Sequence, residues 1–230
     1  MYFHPSYLVL LPGMALMMWA QSHIKGTYRK YSQIPSSLGM TGAQVAKAIL
    51  SRMNVEGVKV EPVAGELTDH YDPSAKAVRL SQGIYNSSSL AAAAVAAHEC
   101  GHVLQDVRGY SPMNWRAALV PAVNIGQTFG PYLIMGGLFL GAMGFISTIF
   151  LQIGIVLFGA SILFHLVTLP VEFDASRRAL SLVDELGILQ GEENKGAKAV
   201  LMAAAWTYVA TALYSVLQLI QFLMIMNRRR

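Results

Sequence analysis

From Ala117 to Val171 the chain carries no Asp, Glu, Lys or Arg. A protein of 230 residues has too little polar surface to wrap so long an uncharged stretch inside a soluble core. About 20 consecutive apolar residues cross a bilayer, so the stretch accommodates two helices joined as a hairpin. The residues before Lys25 and those from Ala199 to Asn227 are also charge-free, and each accommodates one more helix. Charged residues make up only 13% of the chain, against about 25% in soluble domains. The expectation is an integral membrane protein, mainly α-helical, with about four transmembrane helices. They comprise an N-terminal anchor over 1–24, a hairpin over 117–171 and a last helix within 199–230, which ends in a basic tail. Gly136, Gly137, Gly141 and Gly144 fall within or at the end of the hairpin's first helix, where small residues admit close packing.

The formal net charge of +4 does not point to nucleic acid, because the basic residues sit beside the apolar stretches. Lys25, Arg29, Lys30, Arg108 and Arg116 flank the long polar segment, and Arg177, Arg178, Lys195 and Lys198 follow the hairpin. Basic clusters of this kind face the cytoplasm. The polar regions of a multi-pass cell-membrane protein are therefore expected on that side. Arg228, Arg229 and Arg230 would then lie outside, against the same rule, unless the last helix does not fully cross. The N-terminal stretch has no basic leader and no clear cleavage site, so it reads as an uncleaved anchor, with His4 and His23 at the interface. Cys100 is the only cysteine, which excludes an intramolecular disulfide.

Residues 25–116 read as a folded α+β region. "MTGAQVAKAILSRMNV" is an amphipathic helix with Thr41 and Gln44 as a capping box. "GVKVEPV" and "AKAVRLS" are short strands on either side of a turn-rich segment that His70 and Asp72 serve. "AVRLS" is the expected edge for aligning an extended substrate. A strong helix former follows over roughly 88–106, with Ser87, Ser88 or Ser89 as its N-cap.

That helix contains "VAAHECGHVLQD". Positions four apart share a helix face, so His98 and His102 can offer their imidazoles to one point. Neutral imidazole is a good zinc ligand, and two ligands from one turn leave room for a third and for a water. Glu99 lies beside that face, where a general base would polarise the water. Asp106, four residues beyond His102, is a candidate partner for a ligand imidazole. Cys100 points away from the histidine face, toward packing.

A third ligand must come from elsewhere. Both ends of a two-helix hairpin emerge on the same side of the membrane, so acidic residues after it can return to the histidines. The candidates are Glu172, Asp174, Asp184, Glu185, Glu192 and Glu193. The segment 172–198 opens as a helix after Pro170 and continues into the loop "GILQGEENKGAKA". His165, near the end of the hairpin's second helix, is a candidate for stabilising an oxyanion.

"LTDHYDP", "VRLS", "AAHECGHVLQD" and "TLPVEFDASRRAL" together resemble the YugP family of bacterial membrane zinc metallopeptidases. More distantly they are similar to the HtpX and CaaX-prenyl-protease class of membrane gluzincins. The resemblance covers nearly the whole chain. It implies a zincin-like catalytic region and an endopeptidase with one Zn2+ per chain. Its metal would be held by His98, His102 and Glu172, with Glu99 as the catalytic base. The substrates would be peptides or proteins, membrane proteins among them, with the lipid bilayer as the other partner. The distant class has E-x-x-A-D at the third ligand, whereas this chain has "EFDAS", with Ser176 in place of the Asp. Residues 172 and 176 share a helix face, while 174 is turned by about 200°. Ser176 would then orient an imidazole, leaving Asp174 to pair with Arg177 or Arg178. The competing readings are a membrane metal-binding or transport protein, whose ligands belong inside the spans, and an inactive zinc-binding scaffold.

Overall fold

The structure is a computed structural model describing residues 5–140 and 145–227. His4, Gly141, Gly144 and the arginines at 228–230 lie outside the described residues. The protein is mainly helical with one small sheet. A 3-10 turn (Pro5–Leu10) leads into α1 (Leu11–Ser32), followed by α2 (Gly42–Arg52) and strands β1 (Lys59–Val63), β2 (His70–Asp72) and β3 (Ala77–Ser81). Helices α3 (Gln82–Tyr85), α4 (Leu90–Val107), α5 (Ser111–Phe139), α6 (Phe145–Glu185) and α7 (Glu192–Asn227) complete the order. The chain divides into two compact units. One takes in the described parts of 1–19, 111–169 and 207–230, and the other 20–110 and 170–206.

In the first unit α5 and the first part of α6 pack closely against each other. The tight positions include Gly126 and Gly154, whereas Gly136 is not one of them. A Cβ on Gly126 would come within 2.4 Å of the Leu157 carbonyl oxygen, and one on Gly154 within 2.7 Å of the Ile134 side chain. On Gly136 it would meet Phe150 at an ordinary 3.5 Å. Gly13 of α1 faces Leu217 and Tyr214 of α7 in the same close manner. Among the described residues, two helices are long and apolar enough to cross a membrane, 148–185 within α6 and the whole of α7. The other two expected spans fall short of that test. The first apolar stretch is split between a 3-10 turn and α1, and α5 carries Pro121, Asn124, Gln127 and Pro131 in its interior.

The second unit is built on a three-stranded sheet of order β1-β3-β2, with β3 parallel to β1 and antiparallel to β2. This corrects two expectations. "AVRLS" is the central strand and has no free edge for a substrate. His70 and Asp72 lie in β2, although Asp72 also closes the following turn by accepting from the Ser74 and Ala75 amides at 2.9 and 3.0 Å. The third strand was hidden because it is only three residues long and sits between turn formers.

Helix α2 begins with the Thr41–Gln44 capping box, both of its bonds being present. Ser89 caps α4 by accepting from the Ala92 amide at 3.2 Å. The start of α4 is pinned by the segment leading into α2, whose Ile34 carbonyl accepts from Leu90 and whose Ser36 amide donates to Ser88, and by Gly42 at the head of α2, whose amide donates to Ser87. The alanines of α4 keep its girth small, so neighbours approach it closely, and 91–94, 96 and 97 are all buried. Cys100 is fully buried against α2, with Sγ 3.7 Å from the Ala46 carbonyl.

Two further expectations change. Helix α6 runs unbroken through Pro170 rather than restarting after it. The loop expected over 187–199 ends early, because α7 begins at Glu192. Gly191, with φ of +56°, makes the turn, and Glu192 and Glu193 place negative charge on the first helical turn, which stabilises it.

Helices α4 and α6 touch backbone to backbone. A Cβ on Gly101 would stand 2.4 Å from the Ala175 carbonyl oxygen and 3.1 Å from its Cα. Alanine is preferred over glycine inside a helix by about 1 kcal/mol. Here the clash is with backbone, which cannot rotate aside, and overpacking of this kind costs about 1–3 kcal/mol. We expect Gly101→Ala to be destabilising in thermal unfolding. Gly26→Ala, in α1 with nothing within 4 Å of its Cβ, should be neutral or stabilising.

Candidate metal centre

The α4–α6 contact brings three donors together. His98 and His102 project from one face of α4, and Glu172 projects from α6 toward them. Their ligand atoms all lie within 4.8 Å of one another. Glu172 Oε2 is 3.2 Å from His98 Nε2 and 3.6 Å from His102 Nε2. The imidazoles meet edge to face, with centroids 4.7 Å apart. Glu172 is 2% exposed and His102 7%, so water does little to screen the charge of the carboxylate.

Each imidazole is held from behind through Nδ1. His98 Nδ1 lies 3.2 Å from Ser176 Oγ, and His102 Nδ1 lies 3.0 Å from Gln105 Oε1. Both Nε2 atoms are thereby turned to the same place as the Glu172 carboxylate. Two imidazoles and one carboxylate converging with their far sides anchored suit zinc in donor type and number. The electrostatics agree. Burial alone would lower the pKa of His102, but the hydrogen bond and charge of Glu172 raise it above the usual value. The position favours positive charge.

Glu99 is buried next to the ligand face. Burial pushes its carboxyl pKa up, against the pull of His98 and His102, the direction that suits a group which must take up and release a proton.

The remaining candidates divide. Ser176 reaches His98. Asp106 reaches neither imidazole, since it accepts from Tyr71 Oη and Lys76 Nζ, both at 2.6 Å, and so ties α4 to β2. Gln105, one residue earlier, occupies the place expected for it. Asp174 is turned away from the donors, accepting from Arg177 and Arg178 at 3.0 and 2.5 Å and from Gln105 at 3.0 Å. His165 belongs to the other unit, with its ring edge-on to Phe164. Of the other acidic candidates, Glu185 accepts from Ser181, Glu192 from Lys195 and Glu193 from Ser37. Gln105 and Gly101 were missed by sequence reasoning. The one available signal was the i,i+3 spacing of Gln105 from His102.

With this geometry in place, comparison with known proteins decides the family. The sequence profile of the family described as "Putative neutral zinc metallopeptidase" matches residues 6–227. This chain belongs to that family. It is also 43% identical over 215 residues to the "Putative membrane protease YugP" of Bacillus subtilis (strain 168), covering 94% of this chain and 93% of the relative. No solved structure matches it. The chain thus joins a family described as zinc metallopeptidases, is similar to a protein described as a membrane protease, and has two helices apolar enough for a bilayer.

Metal-binding measurements on the purified protein test the donor set. Glu172→Ala should lose the metal. Asp174→Ala should keep near-stoichiometric zinc in metal-replete buffer. Ser176→Ala should weaken binding modestly, because it removes one neutral hydrogen bond.

Proposed function

We propose that the protein is a membrane-embedded zinc-dependent endopeptidase of gluzincin type, acting on peptide or protein substrates that include membrane proteins. The observation that carries this reading is the convergence of His98, His102 and Glu172 beside a buried Glu99. His98, His102 and Glu172 would hold one zinc ion per chain. When bound there, zinc supplies Lewis acidity that polarises the scissile carbonyl and acidifies the attacking water. Glu99 takes that water's proton on its carboxylate and delivers it to the leaving amine. Burial, which raises its pKa, makes it a better proton acceptor than an exposed carboxylate.

An extended substrate needs a free sheet edge. With β3 central, that role falls to β2, which packs against α4 through Tyr71 and Asp106. Main-chain pairing along β2 would lay a peptide antiparallel to the strand. A metal carrier is the weaker reading, because the donor atoms lie in the unit that holds the sheet rather than in the apolar helices of the other.

Four spans, with the catalytic unit on the cytoplasmic side, fit the nine basic residues that flank the polar segments better than the inverted arrangement. Gly13 and Gly126 let α1 and α5 approach α7 and α6 closely, as small residues do between membrane helices.

Purified protein should contain about one zinc per chain, and chelation should abolish cleavage. Glu99→Gln should retain the metal while turnover falls by about 10²–10⁴-fold. Loss of zinc in that variant, or retained turnover, would show that Glu99 is not the base. For topology, Val60→Cys and Gln190→Cys should resist an impermeant thiol reagent applied to intact cells. Cys100 is buried and adds little background. Labelling at both positions would invert the orientation.

A further inference from the structure

Gln105 is fully buried, and its amide has only one orientation that satisfies its neighbours. On one side it meets the Val171 carbonyl at 2.7 Å and Asp174 Oδ2 at 3.0 Å. Both are acceptors. A carbonyl has no proton to give, and Asp174 is held as a carboxylate by Arg177 and Arg178. The amide nitrogen must face them, because an amide oxygen there would set acceptor against acceptor. Oε1 is therefore fixed on the opposite side, 3.0 Å from His102 Nδ1. An oxygen at that place requires a proton on Nδ1. Neutral imidazole carries one proton only, so the lone pair is left on Nε2, the atom turned toward Glu172.

We propose that Gln105 and Asp174 act together as a tautomer lock, positioning residues that decide which nitrogen of His102 is offered to a metal cation. This deepens the enzymatic reading above and rests on it. The lock extends outward, since Arg178, which grips Asp174, also lies over the Tyr110 ring at 5.6 Å. His98 has no counterpart. Its Nδ1 faces the Ser176 hydroxyl, which can rotate to donate or accept and so imposes no tautomer.

Asp174→Leu is the stringent variant because it touches no donor. Arg178 and the Gln105 amide meet the same carboxylate oxygen, Oδ2, and the substitution removes it, leaving the Val171 carbonyl alone to orient the amide. Asp174→Asn, whose oxygen can stand at that place with its NH2 toward the exposed Arg177, should lose less. Gln105→Met keeps the volume but removes the hydrogen bonds.

The test measures zinc affinity of the full-length protein in detergent by competition with a chromophoric chelator. The visible spectrum of the cobalt(II)-loaded protein is recorded alongside, and unfolding of the metal-free protein controls for folding. Gln105→Met and Asp174→Leu should each bind zinc more weakly than wild type, Gln105→Met by about 10–100-fold, with an altered cobalt spectrum, and Asp174→Asn should lose less than Asp174→Leu. Because Asp174 acts through Gln105, adding Asp174→Leu to Gln105→Met should produce no further loss. Metal uptake by the wild type with Gln105→Met and Asp174→Leu both unaffected, or additive losses in the double variant, would overturn the lock alone. A wild-type protein that takes up neither metal would overturn the enzymatic reading and the lock with it. If Gln105→Met fails to fold, Asp174→Leu set against Asp174→Asn decides the question.

Discussion

Two helices can offer short side chains to one ion only where their backbones nearly touch. In this protein that condition is met at Gly101, where α4 presents bare backbone to the Ala175 carbonyl of α6. Everything at the site follows from it. Ala175 is fully buried, and the residues around it fan out to either side of the contact. Glu172 and Ser176, one turn apart, take His98 from its two nitrogens. Val171 and Asp174 receive the Gln105 amide. Side chains of two or three carbons can make these bonds only at this separation, so the glycine between the histidines matters as much as the histidines.

The same contact marks where the sequence stopped being legible. Spacing alone placed His98, Glu99 and His102 on one helix, and turn chemistry placed the Thr41 capping box, because those arrangements are set within a few residues of chain. A residue's partners across the fold are not. His102 has both Gln105 and Asp106 within helical reach, and Asp106 is the stronger orienting group on chemistry alone. It is drawn off by Tyr71 and Lys76, a choice made by where β2 lies. The position of β2 was itself unreadable, since three residues between turn formers carry no usable alternation. Its absence made β3 look like an edge. In the unit that holds α5, Gly126 and Gly154 make close contacts and Gly136 does not, and nothing in their local sequence distinguishes them.

The donor set also differs in character from the class it distantly resembles. There an Asp stands at the position of Ser176, and a carboxylate behind a ligand imidazole makes the imidazole more basic and a better donor. Here both imidazoles are backed by neutral oxygens, from Ser176 and Gln105. The nearest carboxylate behind the site, Asp174, stands one hydrogen bond further back, with its charge largely offset by Arg177 and Arg178. On the proposed reading, less electron density is pushed through the imidazoles onto the zinc. A zinc ion held there would be bound less tightly but would keep more Lewis acidity for a substrate carbonyl. Geometry then has to supply what charge does not. Buried, doubly anchored Gln105 fixes one imidazole rigidly, while the rotatable Ser176 hydroxyl follows the other. The centre thus joins one stiff ligand to one compliant ligand around a single buried carboxylate, an arrangement that can accommodate a change in coordination during turnover without losing its register.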